Sequence, residues 1–147
     1  MKRILLVTAS VLLASATGAQ AKGMKWMDAT GAGLPAGAKM AVVSGNPAKA
    51  GKFVIRAKFP ANYTVPPHHH PGDEAVRVMS AGSLTYGMGD KVDTASSGTL
   101  TKGYHVTMQA GMNHWVTTST PLEIQVSGDG PFAITYVNPA DDPRTKK

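Results

Sequence analysis

Residues 62–74 read Asn-Tyr-Thr-Val-Pro-Pro-His-His-His-Pro-Gly-Asp-Glu, and this stretch decides both the fold and the candidate site. His68 and His70 are two residues apart, so on a β-strand their side chains leave the same face of the sheet. By the same alternation His69 points the other way and is not expected to be a ligand. The turn that follows can bring Glu74 back beside the two histidines at the start of the next strand.

A further histidine, His114, lies far downstream on another predicted strand. Neutral imidazoles with one carboxylate suit Fe(II), Mn(II), Zn, Ni or Cu(II). Asp73 competes with Glu74 for the role of that carboxylate, and we prefer Glu74. A solvated polar loop is the alternative interpretation of the histidine cluster. The cofactor that we expect is therefore one divalent transition-metal ion: Fe, Mn, Zn, Ni or Cu.

Alternation of apolar and polar residues surrounds this stretch and predicts strands with one buried face. It is clearest in residues 53–59, 122–126 and 132–136. Turn signals rich in Gly, Pro, Asn and Asp separate the strands, and the sequence has no convincing amphipathic helix. A helical turn at residues 93–97 is the most that we expect. About eight to ten short strands favour an all-β sandwich or barrel.

The chain has 147 residues, of which 42% are hydrophobic and 16% charged, and this fits one globular domain. It has no cysteine, which excludes disulfides, thiolate zinc sites and a cysteine nucleophile. Trp26 and Leu34 are expected to anchor an arm before the first long strand. The predicted segments are a signal peptide (1–21), an N-terminal arm (22–38), a β-barrel (39–138) and a polar tail (139–147).

The first 21 residues have the pattern of a secretory signal peptide. Lys2 and Arg3 precede a mostly apolar stretch, residues 4–16, and Ala19-Gln20-Ala21 is a small-residue cleavage site. A membrane anchor is the weaker interpretation, because a spanning helix needs about 20 apolar residues. We therefore expect a periplasmic or secreted protein without stable membrane insertion after cleavage. The basic residues behind the formal charge of +6 are scattered, which argues against nucleic-acid binding.

Taken together, these residues resemble a small single-domain cupin. Residues 87–91, 130–132 and 138–144 are similar to exported bacterial cupins of unsettled function. Residues 62–82 follow the first cupin motif, Gly-x5-His-x-His-x3,4-Glu-x6-Gly. Residues 103–118 follow the second, Gly-x5-Pro-x-Gly-x2-His-x3-Asn, with Gln109 in place of the proline and Thr118 in place of the asparagine. The resemblance implies a single cupin-type jelly-roll β-barrel that holds a metal ion. The ligands that it implies are His68, His70, Glu74 and His114.

Two departures from the first motif have structural consequences. Asn62 stands where the motif has glycine, and asparagine tolerates the left-handed backbone that glycine provides. One extra residue separates Glu74 from Gly82, and it predicts a β-bulge near residues 80–81.

The function that we expect is that of a metal-dependent enzyme acting on a small organic molecule, by dioxygenase, isomerase or lyase chemistry. A non-catalytic barrel that binds a small ligand or the metal itself is the alternative. For partners we expect a small-molecule ligand and allow a homodimer. No catalytic residue is assigned. Ordinary core filling competes with a pocket role for each candidate except His105, which is either a supporting residue or a surface residue. The candidate pocket or supporting residues are Tyr63, Met79, Tyr86, Met88, His105, Met108 and Trp115.

Overall fold

The computed structural model describes residues 23–146, so the predicted signal peptide lies outside the described residues. β-Strands make up most of the regular secondary structure of the described residues, as the alternation predicts. The strands are β1 (Met27–Asp28), β2 (Lys39–Ser44), β3 (Gly51–Phe59), β4 (Tyr63–His69), β5 (Glu74–Val78), β6 (Ser83–Met88), β7 (Gly98–Thr101), β8 (His105–Met108), β9 (His114–Thr118), β10 (Leu122–Gly130) and β11 (Thr135–Tyr136). Short 3-10 helices span Thr30–Ala32, Thr94–Ser96, Pro139–Asp141 and Pro143–Thr145. No helix among residues 23–146 has the length and apolar character needed to cross a membrane.

Two antiparallel sheets form the predicted jelly roll. The six-stranded sheet has the order β1-β2-β3-β10-β5-β8, and the five-stranded sheet has the order β11-β4-β9-β6-β7. Residues that alternate along the strands fill the space between them, among them Phe53 and Ile55 of β3, Val65 of β4 and Val126 of β10. The period of two in the sequence therefore sets which face of each strand is buried.

A bulge in β4 sets the position of the histidines. The pairing of β4 with β9 aligns Val65 with Val116 and then His68 with His114, so that β4 holds one extra residue between these pairs. The extra residue falls at the proline pair 66–67, where the missing N–H groups could not have joined the ladder in any case. In a regular strand Val65 and His68 would leave opposite faces, because they are three residues apart. The bulge restores the phase, and both side chains are buried inside the jelly roll.

The prediction of a β-bulge near residues 80–81 is wrong. Residues 79–82 form the connection between β5 and β6, and Gly82 in it has a φ of 110°. The extra residue of the motif lengthens this connection and leaves β5 and β6 regular. The other departure behaves as predicted: Asn62 has a φ of 55°, in the left-handed region.

The N-terminal arm packs against the barrel. β1 pairs with β2, Trp26 lies under Lys58 with 4.1 Å from Nζ to the ring centroid, and Leu34 packs on the core. Two core tyrosines hold the arm as well. The Tyr63 hydroxyl donates to the Pro35 carbonyl and the Tyr136 hydroxyl donates to the Gly33 carbonyl, each at 2.6 Å.

The C-terminal segment, residues 139–147, is predicted to be an exposed polar tail. Residues 139–140 and 144–146 are exposed, but Arg144 also holds the segment against the rest of the molecule. Arg144 donates from Nη2 to the Ile134 carbonyl at 2.8 Å and makes a two-pronged ion pair with Asp142. The Arg144 guanidinium also lies against Gly33 of the arm. The arm and the tail therefore meet over one part of the barrel.

Candidate metal centre

Three histidines from two neighbouring strands converge inside the jelly roll. His68 and His70 come from the end of β4, and His114 begins β9 directly opposite His68. One ring nitrogen of each lies within 4.8 Å of the other two, and all three side chains are buried. The sequence predicts this convergence, and the cross-strand pairing and the bulge explain it.

Main-chain carbonyls fix the orientation of each ring. Nδ1 of His68 donates to Pro66 O at 2.6 Å, Nδ1 of His70 to Ala133 O at 2.7 Å, and Nδ1 of His114 to Met112 O at 3.0 Å. A carbonyl oxygen only accepts, so the proton of each neutral ring sits on Nδ1. The three Nε2 atoms therefore keep their lone pairs, and this is the arrangement that a metal ion requires of imidazole.

Glu74 brings a carboxylate to the same place. Its Oε2 lies 3.1 Å from Nε2 of His70 and 3.4 Å from Nε2 of His114, and the side chain is buried. Asp73, the competing carboxylate, is exposed and accepts a hydrogen bond from the Ala110 N–H at 2.8 Å. The geometry favours Glu74 over Asp73 at the centre.

Burial and mutual charge shift the pKa values in this cluster. Burial, together with repulsion from His114 and His70, lowers the pKa of His68 to about 3, so this ring is neutral at pH 7. Burial would by itself raise the pKa of the Glu74 carboxyl, but the adjacent His70 and His114 outweigh it and hold that pKa well below its usual range. Burial likewise opposes a charge on His70, and the Glu74 carboxylate overcomes it and raises the pKa of His70.

The donor set fits a divalent cation. Nε2 of His70 and Nε2 of His114 are buried without a hydrogen-bond partner. Each faces a carboxylate oxygen, so that two acceptors meet at 3.1–3.4 Å unless a positive charge lies between them. A proton on one ring relieves one of these contacts, whereas a metal ion would satisfy all of them at once. Within residues 23–146 this is the one cluster of three or more potential ligand side chains.

A narrow cavity of about 40 Å³ adjoins the four side chains. That is room for about three water molecules, since one water needs roughly 10–15 Å³ measured in this way. The wall consists of core residues of both sheets together with Ala32 and Leu34 of the arm and Phe132 before β11. An ion and a small exogenous ligand are therefore what the interior accommodates as it stands.

The other candidate pocket residues do not line this cavity. Trp115 is fully buried next to His114 but on the opposite face of β9, against Gly87. Tyr63 is occupied in holding the arm. His105 is exposed on β8, the edge strand of its sheet. The remaining residues are placed as follows: Tyr86 is half-buried against Gly98, Met79 is half-buried, Met88 is exposed at the end of β6, and Met108 is buried on β8.

His69 points out of the cavity, as predicted. Its Nδ1 lies 3.0 Å from Asn113 Oδ1, and the Asn113 amide donates in turn to Asp90 at 2.7 Å. This chain of polar contacts ties the end of β4 to the loops after β6 and before β9. His69 is thus a surface support of the strand that carries the inward-facing pair.

Sequence reasoning missed four supporting groups. The carbonyls of Pro66 and Met112 each lie two residues before the histidine that they hold, so the spacing was a usable local signal. Ala133 O and the Phe132 ring, which stacks on His70 with 4.8 Å between centroids, come from a distant segment. No local pattern pointed to that second pair.

Comparison with solved structures places the chain among the cupins in fold. The polyketide cyclase RemF from Streptomyces resistomycificus has a TM-score of 0.59 at 16% identity, over 72% of this chain and 75% of that one. An RmlC-like cupin from Shewanella frigidimarina has a TM-score of 0.58 at 15% identity, over 74% of this chain and 86% of that one. An oxalate oxidase has a TM-score of 0.53 at 22% identity, over 71% of this chain and 57% of that one. No protein-family model and no curated protein matches the sequence significantly. The chain thus has the fold of these cupin structures.

Proposed function

We propose that this protein is a metal-dependent cupin enzyme that acts on a small organic molecule. One divalent transition-metal ion would be held by His68, His70, Glu74 and His114. The observation that supports this most strongly is the convergence of three buried Nε2 atoms and one buried carboxylate, two of the nitrogens being without a hydrogen-bond partner. Buried polar atoms left in this state are costly unless a ligand completes them.

A metal in this site would supply Lewis-acid chemistry or a centre for binding dioxygen or substrate, since four protein ligands on a six-coordinate ion leave two positions open. The chain's own residues would orient the metal-binding rings and shield the bound ligand from water. Carbonyls 66, 112 and 133 hold the rings with Nε2 inward. Glu74 offsets one positive charge, and the apolar wall keeps bulk water away from the reacting ligand.

The cupin fold supports an enzyme of small molecules, since the similar solved structures include a polyketide cyclase and an oxalate oxidase. Oxidoreductase, isomerase and lyase chemistry remain the classes for this site. We further propose that the mature protein works in the periplasm or outside the cell, on the basis of the pattern in residues 1–21.

Elemental mass spectrometry of the mature protein, exported without a histidine tag, tests the proposal. We expect about one Fe, Mn, Zn, Ni or Cu ion per chain, lost in His114→Ala and kept in the matched control His69→Ala. Loss of metal in both variants, or no metal in a folded wild type, would contradict the metal centre. With metal bound, oxygen uptake or substrate turnover distinguishes the enzyme from a binding barrel, which would hold the ion and turn nothing over.

A further inference from the structure

We propose that the cavity selects a ligand with a single anionic metal-binding head and an apolar body, and rejects ligands that carry a second polar group. This inference rests on the proposed function, because it takes the metal as the anchor of the ligand. It adds what the wall of the cavity can recognise.

The side chains of the wall offer a bound molecule no hydrogen bond. Within the described part of the chain, every residue that lines the cavity is apolar except the four of the candidate metal centre. Members of this apolar wall, drawn from the six-stranded sheet and from the segment before β11, are Met40, Ile55, Val76, Val126, Phe132 and Ile134.

Main-chain groups along the wall have partners already. β10 is paired on both sides, with β3 and with β5, so its backbone is used in the two ladders. Outside the strands, the Phe132 N–H donates to Pro47 O at 2.6 Å and the Ile134 carbonyl accepts from Arg144 at 2.8 Å. A ligand cannot take these groups without breaking bonds of the fold.

The hydroxyl groups of Tyr63 and Tyr136 and the guanidinium group of Arg144 are also engaged. The Tyr136 hydroxyl donates to Gly33 O, the Tyr63 hydroxyl donates to Pro35 O, and Arg144 is paired with Asp142. A hydroxyl, amide or second carboxylate on the body of the ligand would therefore be buried without a partner. An apolar pocket discriminates against an added hydroxyl by about a hundredfold at most, and a bare carboxylate is rejected more strongly.

The net charge of the metal centre determines the charge that the metal-binding head of the ligand carries. A divalent ion together with the Glu74 carboxylate leaves one net positive charge in the centre, and no Lys or Arg of residues 23–146 lines the cavity. A monoanionic head neutralises that charge, whereas a dianion leaves a buried charge in excess. Sugars, sugar acids and dicarboxylates fit this interior poorly, and compact ligands with a hydrocarbon body fit it well.

Two hydroxamates of equal size test the inference on the cobalt-loaded protein. Propionohydroxamate and glycolohydroxamate share the metal-binding head and differ only in a terminal methyl against a terminal hydroxyl. Titrations followed by the visible absorption of bound cobalt give both dissociation constants. We expect propionohydroxamate to bind at least tenfold more tightly. Equal binding, tighter binding of glycolohydroxamate, or no binding of either ligand would overturn the inference.

Matched variants assign the selection to the wall. Val126→Thr adds a hydroxyl inside the cavity, while Val78→Thr adds one in the core away from its lining. The preference for propionohydroxamate over glycolohydroxamate should shrink at least threefold in Val126→Thr and persist in Val78→Thr. The same change in both variants would contradict the assignment. Failure of cobalt to bind the wild type would contradict the proposed function itself, whereas cobalt binding with the wrong preference contradicts only this inference.

Discussion

At the scale of single residues, the Glu74 carboxylate meets two buried rings: its Oε2 lies 3.1 Å from Nε2 of His70 and 3.4 Å from Nε2 of His114. The His-x-His spacing, the turn before Glu74 and the distant His114 predicted four side chains that the structure places together. Pocket candidates chosen by residue type failed, because type does not give the face of a strand. Trp115 is the clearest case, since it follows His114 in sequence and therefore leaves the opposite side of β9.

The two adjacent acidic residues should differ sharply in their effect on metal binding. Glu74→Gln removes the carboxylate that touches two of the histidines, so we expect metal affinity to fall at least tenfold. Asp73→Asn alters a hydrogen bond at an exposed turn and should change affinity less than threefold. Isothermal titration of the metal-free proteins with zinc measures both. The reverse order would move the carboxylate assignment to Asp73.

The buried His68 ring should make the metal-free protein sensitive to acid. Its pKa is about 3 in the folded state against 6.5 ordinarily, so between these values the unfolded chain binds more protons at this position. The free energy of unfolding therefore falls as the pH drops from 6.5 towards 3, by up to about 1.4 kcal/mol per pH unit. Glu74 acts in the same sense, and His70, with its raised pKa, acts in the opposite one.

Urea unfolding of the chelator-treated protein at several pH values measures this slope. His68→Asn should flatten the dependence between pH 3 and 6.5, while the exposed His105→Asn should leave it as it is. A slope unchanged by His68→Asn would mean that this ring does not carry the effect.

At the scale of single elements, the strands were predictable and their irregularities were not. Alternating apolar residues predicted β3 and β10, and clusters of Gly, Pro, Asn and Asp predicted turns between consecutive strands. The bulge in β4 depends on its pairing with β9, a partner distant in sequence, so no local pattern revealed it. The motif's extra residue was assigned to a strand, although the connection at residues 79–82 could take it at no cost in pairing.

A close approach between β6 and β9 gives a prediction for these strands. A Cβ on Gly87 would overlap the Trp115 ring, so Gly87→Ala must displace a fully buried indole. We expect the free energy of unfolding to fall by about 1–3 kcal/mol, together with a shift in tryptophan fluorescence. Gly31→Ala, where the new methyl meets open space, should change stability by less than about 0.5 kcal/mol. Equal effects would contradict the packing described for Trp115.

At the scale of the whole molecule, no pattern in the sequence predicts that the tail contacts the body of the domain, and only Trp26 and Leu34 indicate an anchored arm. Both are rich in small and polar residues and lack a period, so an arm and an exposed tail were the natural predictions. The structure joins them by long-range contacts: Tyr136 with Gly33, and Arg144 with Ile134. The arm also supplies Ala32 and Leu34 to the wall of the cavity, which makes it part of the candidate site.

The hydrogen bond that ties Tyr136 to the arm should contribute measurably to stability. Tyr136→Phe removes a buried donor to the Gly33 carbonyl, and we expect a loss of about 0.5–1.5 kcal/mol in thermal or urea unfolding. Tyr104→Phe is the matched control, because Tyr104 is 68% exposed. A Tyr136→Phe protein as stable as that control would show that the arm does not depend on this contact.

The most direct test of the central claim is an anomalous difference map at the zinc edge from crystals of the zinc-loaded protein. It should show one peak about 2.0–2.2 Å from Nε2 of His68, His70 and His114 and from a carboxylate oxygen of Glu74. The peak should be missing in crystals of His114→Ala. A peak elsewhere, coordination through Nδ1, or no peak in the wild type would contradict the metal centre described for this jelly roll.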